Sequence, residues 1–191
     1  MLMVGTDRVE VERLLGAGEL ACPSCPGVLG PWGYARSRSS RGLVGTVRHQ
    51  PRRARCGSCG GTHVLLPALW LLRRADAAVV IGAALEAGAS GVGHRPVAAA
   101  LGRPASTVRG WLRRFVAKAE HARVEFTRLL HALDAQAGAL TPRGSVVADA
   151  LEAIGRAAAA AVVRLSPVGP WEFAARASAG RLLAPSAGSR W

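Results

Sequence analysis

Cys22-Pro-Ser-Cys25 and Cys56-Gly-Ser-Cys59 hold every cysteine of the chain, with thirty residues between the two pairs. A glycine follows each pair two positions on, at Gly27 and Gly61. A C-x-x-C turn aims two sulfurs at one point, and backbone N–H groups of the tight turn donate to the thiolates. A glycine just after it lets the chain fold back without a Cβ clash. Two such turns predict a closed tetrahedral site with Cys22, Cys25, Cys56 and Cys59 as ligands. The ion expected there is one structural Zn²⁺, because four thiolates leave no open coordination position. A redox dithiol would accompany a βαβ pattern, which is missing, and disulfides do not suit a reducing compartment. His63 is a weaker candidate beside a full set of thiolates, and His49 reads as surface.

Working outward, the residues between the pairs read as strands. Trp32, Tyr34, Leu43-Val44 and Val47 are separated by Arg- and Ser-rich turns, with Gly30, Gly33, Gly42 and Gly45 as punctuation. Gly61 to Pro67 reads as a last strand closed by its proline. A β-hairpin on each side of a four-thiolate ion is a zinc ribbon, expected over residues 20–72. Residues 1–19 read as an N-terminal helix or extension. So small a module buries few side chains, and the metal should supply much of its folding energy.

Charge sharpens the picture. The 191 residues carry 25 basic against 12 acidic side chains, a net charge of +13, and Lys118 is the only lysine. From Leu20 to Ala75 there is no acid, yet there are nine arginines. Ala87 to Ala119 is again free of acids and holds six basic residues. A solvated face mixes signs, so two long acid-free windows point to surfaces that meet phosphates. No stretch reaches the roughly 20 apolar residues of a membrane helix. The N-terminus lacks the pattern of a signal peptide, so a cytoplasmic, nucleoid-associated chain is expected. With 37 alanines, the apolar half of the sequence predicts small, closely packed helices.

The second acid-free window carries a second motif. Val79, Val80, Ala83, Ala84 and Ala87 fall at helical spacing, with Asp76 as a candidate cap and Gly88 as a stop. A second helix is expected over 94–101 and a third from Ser106, its candidate N-cap, through Phe115. Gly102 and Pro104 mark the turn between them. Val108, Leu112 and Phe115 share one face of the third helix, with Trp111 beside them. This is the layout of a helix-turn-helix, over residues 76–118. The outer face offers Thr107, Arg109, Gly110 and Arg113 to a major groove, where Arg pairs bidentately with guanine. Arg103, Arg114 and Lys118 suit phosphates, and Arg95, Arg36, Arg38, Arg52, Arg53 and Arg55 extend the expected DNA-binding set.

Residues 98–114, Ala-Ala-Ala-Leu-Gly-Arg-Pro-Ala-Ser-Thr-Val-Arg-Gly-Trp-Leu-Arg-Arg, resemble the homeodomain-like helix-turn-helix of bacterial transposases and resolvases. The knuckles, with Arg52, Arg53 and Arg55 before the second pair, resemble the N-terminal zinc ribbon of insertion-sequence transposases. The order of the two is similar to an actinobacterial family of small proteins found among mobile-element genes. The likeness covers residues 20–118, with weaker echoes near 170–173 and 180–183. It implies sequence-specific binding of double-stranded DNA at element ends or a promoter.

Beyond residue 118, helices are expected over 117–135, with Val124, Leu129 or Leu130 and Leu133 inward, and from Ser145 to Leu165. A shorter helix from Trp171 to Leu183 and a flexible tail over 184–191 follow. The C-terminal helices, 119–183, are expected to serve self-association as a homodimer or docking to a transposase. Asp149 and Glu152 share a helical face, but the surrounding pattern is all-α and no nucleophile or phosphate-loop motif occurs, so no catalysis is expected. The expected class is therefore α+β: a four-cysteine ribbon, then an all-α region. The expected function is that of a transposon-associated or transcription-regulating DNA-binding protein. The alternative is an RNA-binding ribbon or an adaptor that docks on polymerase or transposase.

Overall fold

The computed structural model describes residues 1–164 and 167–184. Leu165, the expected end of the long helix, and most of the expected tail lie outside those residues. The class is α+β, with a small sheet region followed by helices.

The sheet runs in the order β1 (Leu2–Val4), β6 (Thr62–Pro67), β5 (Arg52–Cys56), β2 (Leu29–Tyr34). β5 is antiparallel to both of its neighbours, and β1 is parallel to β6 with Leu2 opposite Leu65. The N-terminal segment holds the helix expected of it and a strand besides. It adds an edge strand, and its helix α1 (Arg8–Gly16), capped by Asp7, buries Val11 and Leu15. These join Val4, Cys22, Leu29, Ala54, Cys56 and Leu65 in one small core. β2 tolerates Pro31 because it is the other edge of the sheet. Its register shifts before Tyr34, where Gly33 takes φ +80°.

A separate two-stranded hairpin, β3 (Arg38–Arg41) and β4 (Thr46–His49), stands apart from that sheet. Leu43-Val44, expected in a strand, forms its tip instead: Gly42 N–H donates to Gly45 O at 2.8 Å, closing the turn. β4 brings His49 edge-on to Trp70, with ring centroids 5.0 Å apart, so His49 is half-buried rather than a surface residue.

The helices are α2 (Ala78–Ala89), α3 (His94–Leu101), α4 (Ala105–Val116), α5 (Ala119–Leu133), α6 (Val146–Arg164) and α7 (Pro170–Ala177). Gly102, at φ +61°, ends α3 in the left-handed conformation that glycine adopts without strain. Two further residues lead into α4. That helix starts two residues earlier than expected, with Pro104 at the N-cap position, so Ser106 lies inside it. α4 buries Val108, Trp111 and Phe115. A Cβ on Gly88 would lie 2.7 Å from Leu112 Cδ2, so α2 and α4 approach closely there.

α5 and α6 form the most extensive helix pair. The buried line of α5 is Ala119, Ala122, Phe126 and Leu130; Leu130 is inward as expected, while the expected Val124 and Leu133 are only half-buried. Ala150, Ala153, Ala157, Ala158 and Ala161 on α6 keep the helices close. Ser145 caps α6 by accepting from Ala148 N–H at 3.1 Å. α7 is shorter than the expected 171–183 helix. Trp171 lies flat over Gly82 of α2, where any Cβ would overlap its ring, and its indole N–H donates to Glu86 at 2.9 Å. The ribbon and the helices are continuous, since Met3, Leu66, Ala68 and Trp70 belong to the helical core.

Candidate metal centre and nucleic-acid interface

The two knuckles are built alike. Cys22 N–H donates to Gly27 O at 2.8 Å, and Cys56 N–H donates to Gly61 O at 2.9 Å, so each C-x-x-C turn is closed by the glycine two residues beyond it. Backbone N–H groups turn onto the sulfurs: Ser24 onto Cys22 and Gly27 onto Cys25, each at 3.4 Å, and Cys59 onto Cys56 at 3.5 Å. Gly27 is required twice over, because a Cβ there would overlap the Ser58 side chain and lie 2.8 Å from Cys56 Sγ.

All four sulfurs lie within 4.8 Å of one another. Cys22 and Cys59 are 3.9 Å apart, and Cys25 and Cys56 are 3.5 Å apart. A tetrahedral ion with bonds near 2.3 Å places its sulfurs about 3.8 Å from one another, so the cluster fits a single metal ion. Its electrostatics favour a cation. The Cys59 N–H, with that of Ser58, lowers the Cys56 thiol to about 6. At Cys25 the Gly27 N–H also lowers the value, but neighbouring thiols and burial outweigh it and push that thiol up to about 12. Four sulfurs this close do not all ionise without a positive charge among them. His63 is buried beside the cluster, with Nε2 3.7 Å from Cys22 Sγ, and lines the site rather than replacing a thiol.

The expected DNA-binding residues fall into two groups. Several arginines are committed to the protein itself. Arg52 pairs with Glu12 at 2.9 Å, donates to Gly33 O at 2.7 Å and covers the Tyr34 ring. Arg55 covers the Trp32 ring and donates to Gly60 O. Arg103 pairs with Asp76 at 2.6 Å and donates to the carbonyls of Leu101, Gly102 and Gly42, with its side chain only 13% exposed. These three side chains are engaged within the protein, unlike the other arginines expected to contact DNA.

Others are open to solvent. Arg109, Arg113 and Arg114 on α4, Arg95 on α3, Arg36 before the hairpin and Arg38 in it are exposed, and their side chains make no hydrogen bond or ion pair among the described residues. Arg53 and Thr107 are half-buried, and so is Lys118, whose ammonium is lowered by burial and then by Arg181. The space above Gly110 is occupied by the Arg114 guanidinium, 2.8 Å from where a Cβ would stand. Arg109 and Arg113 lie one turn apart along an open trough of about 540 Å³, edged by Val92, His94, Leu112 and Val147.

Asp76 escaped the sequence reading. The N-cap of α2 is Ala77, without a side-chain bond, and Asp76 is instead buried between two guanidiniums. Arg41 donates to it twice, at 3.0 and 2.8 Å, and Arg103 once. Asp149 and Glu152, the one acidic pair weighed as catalytic, both accept from Arg143, through its backbone N–H and its guanidinium. Among the described residues, no helix is long and apolar enough to cross a membrane. No family profile, curated protein or solved structure matches the chain.

Proposed function

We propose that this chain binds double-stranded DNA, with α3, the turn at Gly102 and α4 acting as a helix-turn-helix. In this reading Arg109 and Arg113 on α4 read base edges, and Arg114 and Arg95 meet phosphates. The metal of the ribbon is Zn²⁺, held by Cys22, Cys25, Cys56 and Cys59, and it is structural. The observation that carries the reading is the pair Arg109 and Arg113, exposed and unpaired in a window without a single acid. Guanidiniums left without carboxylates on one helix face suit a polyphosphate better than a mixed-charge protein surface.

The occupied state of Asp149 and Glu152 supports binding without catalysis. Such binding serves a transposon-end protein or a transcriptional regulator equally well. Selection from a random duplex pool, followed by affinity measured against salt, tests it. Enrichment of one sequence, lost on Arg109→Ala or Arg113→Ala at a cost of about 1–3 kcal/mol each, is the expected result. Equal binding of all sequences would remove α4 as a reading helix.

One observation favours a second reading. Trp32 and Tyr34 stand half-exposed on edge strand β2, each with an arginine over one ring face. Rings so placed can stack on single-stranded bases, which suits an RNA-binding ribbon. Competition between duplex DNA and single-stranded RNA at fixed salt separates the two, with Trp32→Ala affecting only the latter.

A further inference from the structure

The β3–β4 hairpin has no place in the zinc site or on α4, yet it is fastened beside α4. Arg41 is bonded into the backbone on both sides of Asp76: its N–H donates to Ala75 O, and its carbonyl accepts from Ala77 N–H, both at 2.9 Å. Its guanidinium holds Asp76, which Arg103 holds from the other side, and Arg103 also donates to Gly42 O at 2.9 Å. Arg103 lies two residues before α4. The hairpin tip is thereby latched to the N-terminal end of that helix, the end that enters a major groove in helix-turn-helix complexes.

Just past the latch comes Gly42-Leu43-Val44-Gly45. Leu43 is 57% exposed and Val44 95% exposed. The charged residues of the two strands, Arg38, Arg41 and Arg48, are all basic. At the other end of β3, Arg38 and Ser39 face a cavity of about 310 Å³ closed by Trp70, Leu72, Arg73 and Arg74. Three arginines line it, and no carboxylate does among the described residues. Arg73 holds φ +59°, and Arg74 donates through Nη2 to Leu183 O at 3.1 Å while its buried Nε has no partner among the described residues. Burial, and then the charge of Arg114, disfavour the charge on Arg74. Like charges held together in this way call for an anion. An apolar tip between glycines, flanked by arginines, has the composition of an arm that lies against deoxyribose and base edges in a minor groove.

We propose that the β3–β4 hairpin is a second DNA-contacting arm: Arg38, Arg73 and Arg74 grip a backbone phosphate in the cavity between β3 and the Leu72–Arg74 loop, and Leu43 and Val44 enter the minor groove flanking the segment read by α4. The proposal rests on the reading of α4 as a duplex-binding helix. It predicts a footprint in two adjoining parts, one of them carrying little sequence information.

The test uses the full zinc-loaded chain and the duplex recovered by random-pool selection. Arg38→Ala with Arg73→Ala should lower the slope of log affinity against log salt by about 1, the loss of one phosphate contact, while the preferred sequence stays the same. Leu43→Ser with Val44→Ser should weaken binding about tenfold and erase hydroxyl-radical protection of the flanking minor groove, leaving protection under α4. All four side chains are exposed, and unchanged zinc content and melting temperature confirm the fold of each variant. If both variants keep the parental slope and footprint while Arg109→Ala loses selectivity, the arm is refuted and the α4 reading stands. If the parent chain prefers no duplex, the α4 reading falls and the arm with it.

Discussion

Around the cysteines, four short strands and one helix enclose eight buried side chains, two of which are cysteines of the metal cluster. The helical half encloses Trp111, Phe115, Phe126, Leu130, Ile154 and Trp171 within a continuous layer of alanines. The first region buries little apolar surface of its own, and its cysteine cluster could add an ion to fix its loops. The same contrast governs the arginines. Those of the ribbon sheet, Arg52 and Arg55, are turned back onto rings and carbonyls, and so brace a thin core. Those of α4, Arg109 and Arg113, have a well-packed helix beneath them and stay exposed to solvent. A positive charge on this molecule therefore means different things in its two halves.

Removing the metal should break the comparison most visibly. With a strong chelator, or with Cys56→Ser, hydrogen-exchange protection should vanish from β2, β5 and β6 while α5 and α6 keep theirs, since structural zinc supplies about 10–16 kcal/mol in comparable small modules. Simultaneous melting of both regions would show that the continuous core binds them into one cooperative unit. Elemental analysis should give one zinc per chain.

Trp171→Ala comes next. It empties the contact over Gly82 and should cost the helical half about 3–5 kcal/mol in denaturant unfolding, with zinc content unaffected. A loss of zinc would mean that the ribbon depends on α7, which touches it where Thr6 donates to Glu172 at 2.8 Å.

Asp76→Asn keeps the shape but removes the charge between Arg41 and Arg103. It should cost about 1–3 kcal/mol of stability, because hydrogen bonds to charged groups lie in that range. Exchange should rise in β3 and β4 before anywhere else. Arg55→Ala should have the smallest effect, about 0.5–1 kcal/mol from its place over Trp32, with no change in the DNA sequence selected. A change in the selected sequence would keep that arginine in the set that contacts the ligand.

The metal site was legible because its chemistry is local: each C-x-x-C turn with its glycine is complete within six residues, and nothing but cysteine supplies thiolates. The turn at Gly102 was legible for the same reason. Asp76 was not. An acid just before a helix has the local signature of a cap, and the two guanidiniums that claim it lie 35 and 27 residues away. No composition rule separates Arg41 and Arg103 from the other arginines; only the path of the hairpin does. β1 was missed because three residues show no periodicity, and its pairing is parallel to a strand far along the chain. The line of α5 was only partly legible because alanine hides which face is inward until Phe126 and Leu130 are seen to align.

That parallel pairing has a consequence for how the protein is made. Leu2–Val4 can bond only to Leu65–Pro67, so during synthesis this segment leaves the ribosome long before its partner exists. The segment made early therefore waits for β6 before it can dock, a long-range pairing of the kind that folds slowly.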